Sequence, residues 1–504
     1  MGIAVKEGHK PILYFLISAG AASDVSTPDV NGNTPMSVAC RFGRTEIAEW
    51  LGENGAMNDT TTINVEGYSP MYVACYENHL ETMKWLYQHG AAADVNAINL
   101  DGDTPMMVAA QLKHLDIIEW LHEKGVHDLK HSNHFGWNAL LLAVQNNHLE
   151  VVQWLVEHGA ADQQPSHGSS VTDANPTAMF VACQNNHLQL AQWLYDHVPG
   201  AKNNVTKPNN RNETPMWISC QQGHYGMVEW LFANGCAHDV CRPCSNGATP
   251  LYVACWEGHL NVVHFLALNG AIKDTTNRNY FNVSPLYAAC ANGHLDIVQW
   301  LIKKGGAAAD VTVANNYGTT PMLAACTGGH FNIARWLYHN GAAADVRKPN
   351  NFGEIPLLHA CRQGRFTMVE WLCRRGVAVE DMVRPSNNGI TPIELVCTGD
   401  YVDIARWVIE QGMVSPIDCP FSRMGQHNKV ILHDLGQECY VAFQNFLNLV
   451  LHRRFGRCTG PSKNVVGVRH VPMGVLRLIA DFSCGTTGTR RLWQKIVGTF
   501  GESR

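Results

Sequence analysis

Residues Gly318 to Val346 read GTTPMLAACTGGHFNIARWLYHNGAAADV, and this stretch decides the fold of the chain. Thr320 and Pro321 predict a helix start, because a threonine hydroxyl can cap the first free amides and proline at the first helical position needs no N–H partner. A short apolar helix follows, then a glycine pair that predicts a turn, then a second helix from about Phe331 to His339 with apolar residues at helical spacing. Two such short helices cannot bury their apolar faces without neighbours.

The same pattern recurs along the chain at spacings of 34 to 39 residues. Its helix-start position falls at Pro35, Pro70, Pro105, Ala139, Ala178, Pro215, Pro250, Pro285, Pro321, Pro356 and Pro392. A truncated copy precedes them, because residues 4–9 align with the first helix and the turn. A fixed period in this range predicts a solenoid in which each repeat packs on the next. We expect about twelve repeats over residues 1–415, a linker over 416–433 and a C-terminal helical segment over 434–504.

The copies share the motif Gly-x-Thr-Pro-Met/Leu-x-x-Ala-Cys/Ala-x-x-Gly-His-Leu-x-x-Val-x-Trp-Leu-x-x-x-Gly-Ala. This motif resembles the ankyrin repeat across about residues 1–415. The resemblance implies an all-α fold, a solenoid of helix–turn–helix units with β-hairpin fingers on one side, and a protein-binding role. The copies at Ala139 and Ala178 lack the Thr-Pro start, and residues 163–173 lengthen the linker before the second of them. We expect a bend or a looser joint there rather than a broken solenoid.

Charge and composition limit the classes of partner. Charged residues make up 16% of the chain, and the net charge is −6. From Pro420 onward there are 12 Lys/Arg and 4 Asp/Glu, a charge of +8, so the remainder carries −14. An acidic array disfavours a nucleic-acid partner, whose backbone needs Lys and Arg. The longest apolar run is far short of the ~18 residues of a membrane span, so we expect no membrane association.

Nine of the 17 cysteines occupy one position in the first helix of a repeat. They are Cys40, Cys75, Cys183, Cys220, Cys255, Cys290, Cys326, Cys361 and Cys397. A reduced thiol acts there as a small buried hydrophobe, and one thiol per repeat is not a disulfide framework. Reduced cysteine at this level predicts a cytoplasmic protein, with the nucleus as the alternative.

A second group of potential metal ligands lies in one loop. Cys236, His238, Cys241 and Cys244 stand within nine residues and could close around zinc. Because only one repeat carries them, loop variation is the simpler interpretation, and we predict no metal site.

Two further positions repeat along the array. A histidine follows the turn at His79, His114, His148, His187, His224, His259, His294 and His330. We interpret it as a hydrogen-bonding link to the neighbouring loop backbone rather than as a metal ligand. A tryptophan occupies one position of the second helix at Trp50, Trp85, Trp120, Trp154, Trp193, Trp230, Trp300, Trp336, Trp371 and Trp407. We expect it to be a core residue that joins adjacent repeats.

Chemistry-bearing motifs are missing from the sequence. We find no Gly-rich phosphate loop with Lys-Ser/Thr, no His-Glu-x-x-His, no Gly-x-Ser-x-Gly and no kinase signature. We therefore predict that the chain is not an enzyme and has no cofactor. We therefore expect a non-catalytic scaffold or adaptor, a monomer that binds an unidentified protein partner through the concave surface of the array.

Aromatic residues supply the candidate binding surface. In ankyrin arrays the variable positions lie on the finger tips and on the exposed face of the first helix. On that face this chain has Tyr72, Tyr76, Phe180, Trp217, Tyr252, Trp256 and Tyr287. Aromatic side chains serve as interface anchors, so we predict that six of these residues, all except Tyr76, bind the partner. We expect the last four to form one stripe, with Trp256 the most exposed. The alternative is that the residue after Met/Leu packs under its own finger.

The chain ends leave two questions open. The C-terminal segment contains an amphipathic helix from Asp434 to Phe455 and a second helix after Pro472, and its simplest role is a cap on the last repeat. Repeats followed by two helices also resemble ankyrin proteins with a SOCS box, which recruit Elongin and a cullin. That resemblance implies an alternative function, a substrate receptor of a ubiquitin ligase through residues 434–482, although Phe446 and Leu451 depart from the family motif. Because the chain begins inside a repeat, we expect an upstream segment to be missing.

Overall fold

The structure is a computed structural model that describes residues 1–160, 176–198, 200–377, 379–399, 401–411 and 413. Within these residues the secondary structure is helical and contains no β strand, so the predicted all-α class is confirmed. The predicted linker over 416–433 and the helical segment over 434–504 lie outside the described residues, and so do residues 163–173. The ubiquitin-ligase alternative, which depends on residues 434–482, stays a prediction.

Twelve pairs of short helices follow one another in the described part of the chain, and we number them as repeats 1 to 12. The first helices span Gly2–Glu7, Pro35–Arg41, Pro70–Tyr76, Pro105–Leu112, Ala139–Gln145, Ala178–Gln184, Pro215–Gln222, Pro250–Glu257, Pro285–Asn292, Pro321–Gly328, Pro356–Arg362 and Pro392–Thr398. The second helices span Lys10–Ser18, Thr45–Leu51, Leu80–Gln88, Leu115–Glu123, Leu149–Glu157, Leu188–His197, Tyr225–Leu231, Leu260–Leu268, Leu295–Lys303, Phe331–His339, Phe366–Arg374 and Val402–Glu410. Short helical turns follow at Ala22–Val25, Gly52–Ala56, Met57–Thr61, Ala92–Asn96, Ala201–Asn204, Phe232–Cys236, Ala237–Cys241, Ala271–Thr275, Ala307–Thr312, Ala343–Arg347 and Val379–Met382.

Side-chain caps set the start of the first helices. The Thr320 hydroxyl accepts a hydrogen bond from the Leu323 amide at 3.2 Å, as the Thr-Pro pair predicts. The two repeats without that pair are capped as well, because Asn138 and Thr177 accept bonds in the same way. The missing proline therefore leaves both helices in place.

The repeats form two compact units, one up to Pro250 and one from Leu251 onward. In the first unit the first helices of repeats 4 and 5 pack on each other, and so do those of repeats 5 and 6. The stack is thus unbroken on the two sides of residues 163–173, as expected. In the second unit the first helices of repeats 9, 10 and 11 pack in succession.

The core of each repeat is made of fully buried small and aliphatic side chains. Leu86 and Leu337 are 0% exposed, and the same holds for all nine cysteines of the first-helix position. Burial raises the pKa of the Cys326 thiol to about 12, so this thiol stays protonated and unreactive. All thirteen described cysteines are present as thiols. The predicted role of the repeated cysteine as a small buried hydrophobe is confirmed.

The repeated tryptophan lies at the edge of this core. The buried ones are Trp50, Trp85 and Trp120, and the other seven are partly exposed. The rings of Tyr87 and Trp120 meet edge to face with centroids 5.7 Å apart, and those of Tyr338 and Trp371 do so at 5.6 Å. The tryptophan thus joins adjacent repeats as predicted, but it is a full core residue in only three of them, because the ring covers the outer rim of the interface.

No helix in the described residues is both long enough and apolar enough to cross a bilayer.

Candidate interaction surfaces

Ten tight turns, which we call fingers, connect successive repeats in the described residues. They span residues 29–33, 64–68, 99–103, 133–137, 209–213, 244–248, 279–283, 315–319, 350–354 and 386–390. In each finger the first amide donates to the fifth carbonyl, as from Asn315 to Thr319 at 3.0 Å. The fourth residue adopts the left-handed region that glycine tolerates, with a φ of 74° at Gly318. The implied β-hairpins are therefore turns rather than strands, because five residues leave no room for a ladder.

Hydrogen bonds link neighbouring fingers within the second unit. The Asn351 amide donates to the Tyr317 carbonyl at 2.9 Å, and the Asn387 amide donates to the Phe352 carbonyl at 2.9 Å. Side-chain amides add to these bonds, since Asn351 Nδ2 donates to the Asn316 carbonyl at 3.0 Å. The finger backbones are thus fixed, and their tips have a defined spacing.

The finger tips of the two units carry different exposed side chains. In the first unit the second finger position holds Val30, Val65 and Leu100, which we call the aliphatic row; they are 97%, 65% and 66% exposed. In the second unit the third finger position holds Phe281, Tyr317 and Phe352, which we call the aromatic row; they are 48%, 49% and 49% exposed. The centroids of the Tyr317 and Phe352 rings are 6.4 Å apart. Sequence reasoning pointed to finger tips in general but chose no residue there, although the spacing to the Asn-x-x-Gly turn could have identified both rows.

Four of the six predicted partner-binding aromatics are buried. Tyr72, Phe180, Trp217 and Tyr252 are 4% to 7% exposed, so their predicted exposure is wrong. Trp256 is 39% exposed, the highest value among the six, although Tyr76 on the same helix face is more exposed at 53%. Tyr287 is partly buried.

Two of the buried aromatics, Trp217 and Tyr72, reach the finger of the next repeat. Trp217 Nε1 donates to the Ala248 carbonyl at 2.9 Å. The Tyr72 hydroxyl accepts from Asn99 Nδ2 at 3.0 Å. These side chains therefore position a finger and are not exposed to solvent. The alternative interpretation expected each to pack under the finger of its own repeat, whereas each contacts the finger of the next repeat.

The same contact recurs in the second unit. The hydroxyls of Tyr252 and Tyr287 accept from Asn279 and Asn315 at 3.4 Å and 3.3 Å. The ring centroids of Tyr252 and Trp256 are 6.2 Å apart. Trp217 belongs to the first unit, whereas Tyr252, Trp256 and Tyr287 belong to the second, so the predicted single stripe stays a prediction.

The repeated histidine links adjacent repeats. Nε2 of His79, His114, His148, His187, His224, His294 and His330 donates to the carbonyl of Arg41, Tyr76, Gln111, Gln145, Gln184, Trp256 and Ala291, respectively, at 2.9 to 3.3 Å. In repeat 12 the Tyr401 hydroxyl makes the same bond, to the Arg362 carbonyl at 3.2 Å. Burial lowers the pKa of His148 and of His330. The predicted structural role is confirmed for these seven histidines.

The cysteines of the 236–244 loop bond to separate partners. The Cys236 thiol donates to the Val205 carbonyl at 3.2 Å, and the Cys244 thiol donates to Asn246 Oδ1 at 3.0 Å. Among the described residues, no group of three or more His, Cys, Asp or Glu is arranged to hold a metal ion.

Family comparisons agree with the repeat pattern. A family model described as ankyrin repeats (3 copies) matches residues 1–99, 54–131, 92–166, 126–207, 181–277 and 269–348. A second model, ankyrin repeats (many copies), matches residues 333–372. Together the matches run without a gap from residue 1 to residue 372 of 504. No curated protein matches the chain.

Proposed function

The chain belongs to the ankyrin-repeat family, and on that premise we propose that it is a non-catalytic scaffold or adaptor that binds a partner protein through its finger tips. Ankyrin repeats generally serve as protein–protein interaction modules. We propose that the residues of the aromatic row contact the partner.

The observation that carries the proposal is the exposure of three aromatic rings on successive fingers. Phe281, Tyr317 and Phe352 are each about half exposed, although each ring could bury a large apolar area. A contiguous exposed apolar patch on a folded protein is typical of an interaction site. Because backbone hydrogen bonds already fix the fingers, binding would order few additional groups, which favours affinity.

Trp256 is the second part of the proposed surface. Its ring is exposed at the end of the first helix of repeat 8, and its carbonyl accepts the His294 bond at 3.0 Å. The backbone beneath the ring is therefore held by the next repeat. Tryptophan is among the residues most enriched at binding hot spots.

The other five predicted residues take an indirect part in the proposal. Tyr72, Trp217, Tyr252 and Tyr287 bond to the next finger and would position its tip rather than contact the partner. Phe180 is 4% exposed and would stabilise its repeat. Replacing one of them should impair binding only through a displaced finger or through lost stability.

No cofactor is needed for binding of this kind. We further propose that one copy of the chain acts on its partner in the cytoplasm or the nucleus. The buried thiols support a reducing compartment, because nine of them sit in the core at one repeated position.

Affinity purification from cell lysate tests the aromatic row. The baits are the wild-type chain, a triple variant Phe281→Ser, Tyr317→Ser and Phe352→Ser, and a control variant Leu268→Ser with Ile272→Ser. The control residues are exposed apolar side chains of the same unit, 86% and 47% exposed, that lie outside the fingers.

We expect the wild-type and control baits to recover the same partner proteins in equal amounts. The triple variant should recover about tenfold less of them, or lower still, because a hot-spot residue contributes about 2 kcal/mol of binding free energy and 1.4 kcal/mol corresponds to a tenfold change in affinity. Circular dichroism checks that all three baits are folded. Equal recovery of the same partners by the triple variant would show that the aromatic row is not the binding surface.

A further inference from the structure

An open pocket of about 160 Å³ lies in the first unit, lined by the finger and the first helix of repeat 3 and by the end of the first helix of repeat 2. Its lining residues are Arg41, Tyr68, Tyr72, Val73, Tyr76 and Glu77. None of these belongs to the aromatic row or to its unit. Three tyrosines in so small a space give the pocket a wall of aromatic faces.

Two of the tyrosines form a fixed stack. The rings of Tyr68 and Tyr72 are nearly parallel, with an interplanar angle of 2° and centroids 4.9 Å apart. Tyr72 is held from below, because its hydroxyl accepts the Asn99 side-chain bond at 3.0 Å. Tyr68 therefore presents its ring from a preformed support rather than from a mobile loop.

The third tyrosine is accessible. Tyr76 is 53% exposed and stands at the C-terminal end of the first helix of repeat 3. Its carbonyl accepts the His114 bond at 3.3 Å, which ties that helix end to repeat 4. Aromatic faces carry partial negative charge and attract cations.

One carboxylate lines the pocket, and others act on Tyr68. Glu77 lines the pocket and is exposed. Burial, and after it the negative charges of Glu66, Asp101 and Asp103, raise the pKa of the Tyr68 hydroxyl. Arg41 is the second charged residue of the lining. Against the effect of burial, hydrogen bonds from Asn33 and Asn31 and, to a smaller extent, the positive charge of Arg41 lower the pKa of Asp29.

The charge of the surrounding repeats has the same sign. Residues 1–160 contain 8 Lys/Arg and 19 Asp/Glu, a net charge of −11. Residues 251–413 contain 13 of each, a net charge of zero. The negative charge of the array is therefore concentrated in the repeats around the pocket, where it would attract a basic segment.

We propose that this pocket binds the cationic side chain of a Lys- or Arg-containing basic peptide segment of a partner protein. The cation lies against the faces of Tyr68 and Tyr76 and pairs with the Glu77 carboxylate. Apolar residues that flank the cation in the peptide contact Val65 and Leu100 of the aliphatic row. This second surface is independent of the aromatic row, because it uses other residues and another kind of contact.

Fluorescence anisotropy with labelled octa-arginine tests the pocket on the full-length chain, with labelled octa-glutamate as the probe of opposite charge. The variants are Tyr76→Ala, Tyr76→Phe and Glu77→Gln. The matched control is Glu119→Gln, which removes the same charge from an exposed position on the second helix of repeat 4, outside the pocket. Circular dichroism verifies folding of each variant.

We expect octa-arginine to bind and octa-glutamate not to bind. Tyr76→Ala and Glu77→Gln should each weaken octa-arginine binding by about 3- to 10-fold, in line with cation–π and ion-pair contacts at a partly exposed site. Tyr76→Phe and Glu119→Gln should bind like wild type, since the first keeps the aromatic face and the second leaves the pocket intact.

Three results would overturn the proposal. They are the absence of octa-arginine binding at low salt, an unchanged affinity in Tyr76→Ala, and an equal loss in Glu77→Gln and Glu119→Gln, which would indicate diffuse attraction by net charge. The aromatic-row triple variant should bind octa-arginine normally. Failure of one proposal is thereby distinguishable from failure of the other.

Discussion

The fingers of the two units share one backbone design and carry different exposed apolar side chains, aliphatic in three fingers of the first unit and aromatic in three of the second, although Phe135 of the first unit is also an exposed aromatic. In the first unit the Val65 amide donates to the Asn31 carbonyl at 3.1 Å, and in the second the Asn351 amide donates to the Tyr317 carbonyl at 2.9 Å. These bonds use only backbone atoms, so the side chains at the second and third finger positions are free to differ. The array therefore separates the residues that build it from the residues that it presents.

Charge extends the same contrast. The repeats of residues 1–160 carry −11, whereas residues 251–413 are neutral. Binding to the acidic repeats should weaken as salt is added, because surface charges are screened over about 8 Å at physiological ionic strength. Binding to the aromatic row depends on apolar area and should be much less sensitive to salt. One chain can thus present two surfaces of different kinds on a single type of scaffold.

The largest expected effect concerns residues that the two units have in common. Leu86→Ala in the first unit and Leu337→Ala in the second should each lower the free energy of unfolding by about 2–5 kcal/mol, because each removes a fully buried side chain and leaves a cavity. Urea denaturation followed by circular dichroism measures the loss. Leu268→Ala, at an 86% exposed position, is the control and should change little. A small loss in either buried variant would mean that the two units do not share one kind of core.

A smaller effect is expected from the shared histidine links. Burial lowers the pKa of His148 and His330 in the folded chain, while the unfolded chain binds protons at the ordinary value of about 6.5. Their stabilising contribution is therefore present above about pH 6.5 and is lost as the pH falls below it. We expect the melting temperature to drop between pH 7.5 and pH 5.5.

His148→Gln and His330→Gln isolate the contribution of each unit to this pH dependence. Each variant should show a shallower drop than wild type, because glutamine does not titrate and can still donate to the carbonyl. If both variants keep the wild-type pH dependence, these histidines are not its source.

The smallest expected effect on stability comes from exchanging the finger tips. Val65→Phe and Phe352→Val should each change the free energy of unfolding by less than about 0.5 kcal/mol, since both positions are half exposed or more. Urea denaturation beside the Leu86→Ala variant provides the measurement. If either variant lowered the free energy of unfolding as much as Leu86→Ala does, the finger tips would contribute to the stability of the array, and the contrast with the buried residues would be wrong.

Repeat 10 shows which structural features local sequence patterns predict. The helix start at Thr320-Pro321 and the second helix over Phe331–His339 are found where the sequence predicts them. The buried Cys326 and the inter-repeat bond of His330 also match their predicted roles. Capping, helical spacing and glycine turns act within a few residues, and the constant period then requires each repeat to meet its neighbour in the same way.

The candidate surfaces were less predictable, because they depend on contacts between repeats. The sequence pattern predicts Tyr72 and Trp217 to be exposed aromatics, but each reaches the finger of the following repeat, about 30 residues away in the chain. The pattern does not single out Phe352 and Val65, because the hydrogen bonds of the folded turn decide which of the five finger residues point outward. The position of a residue within its own repeat does not show which side chains of the next repeat cover it.

The sequence by itself thus determined the fold class, the helix starts, the buried thiols and the histidine links, since each follows from short-range chemistry repeated at a constant interval. Only the tertiary structure decided which aromatics are buried beneath fingers, which form the aromatic row, and that Tyr68 and Tyr72 stack into the wall of a pocket. The physical reason is that exposure is a property of neighbouring repeats together. Two tyrosines of one helix, Tyr72 and Tyr76, can therefore differ in exposure, the first buried and the second exposed.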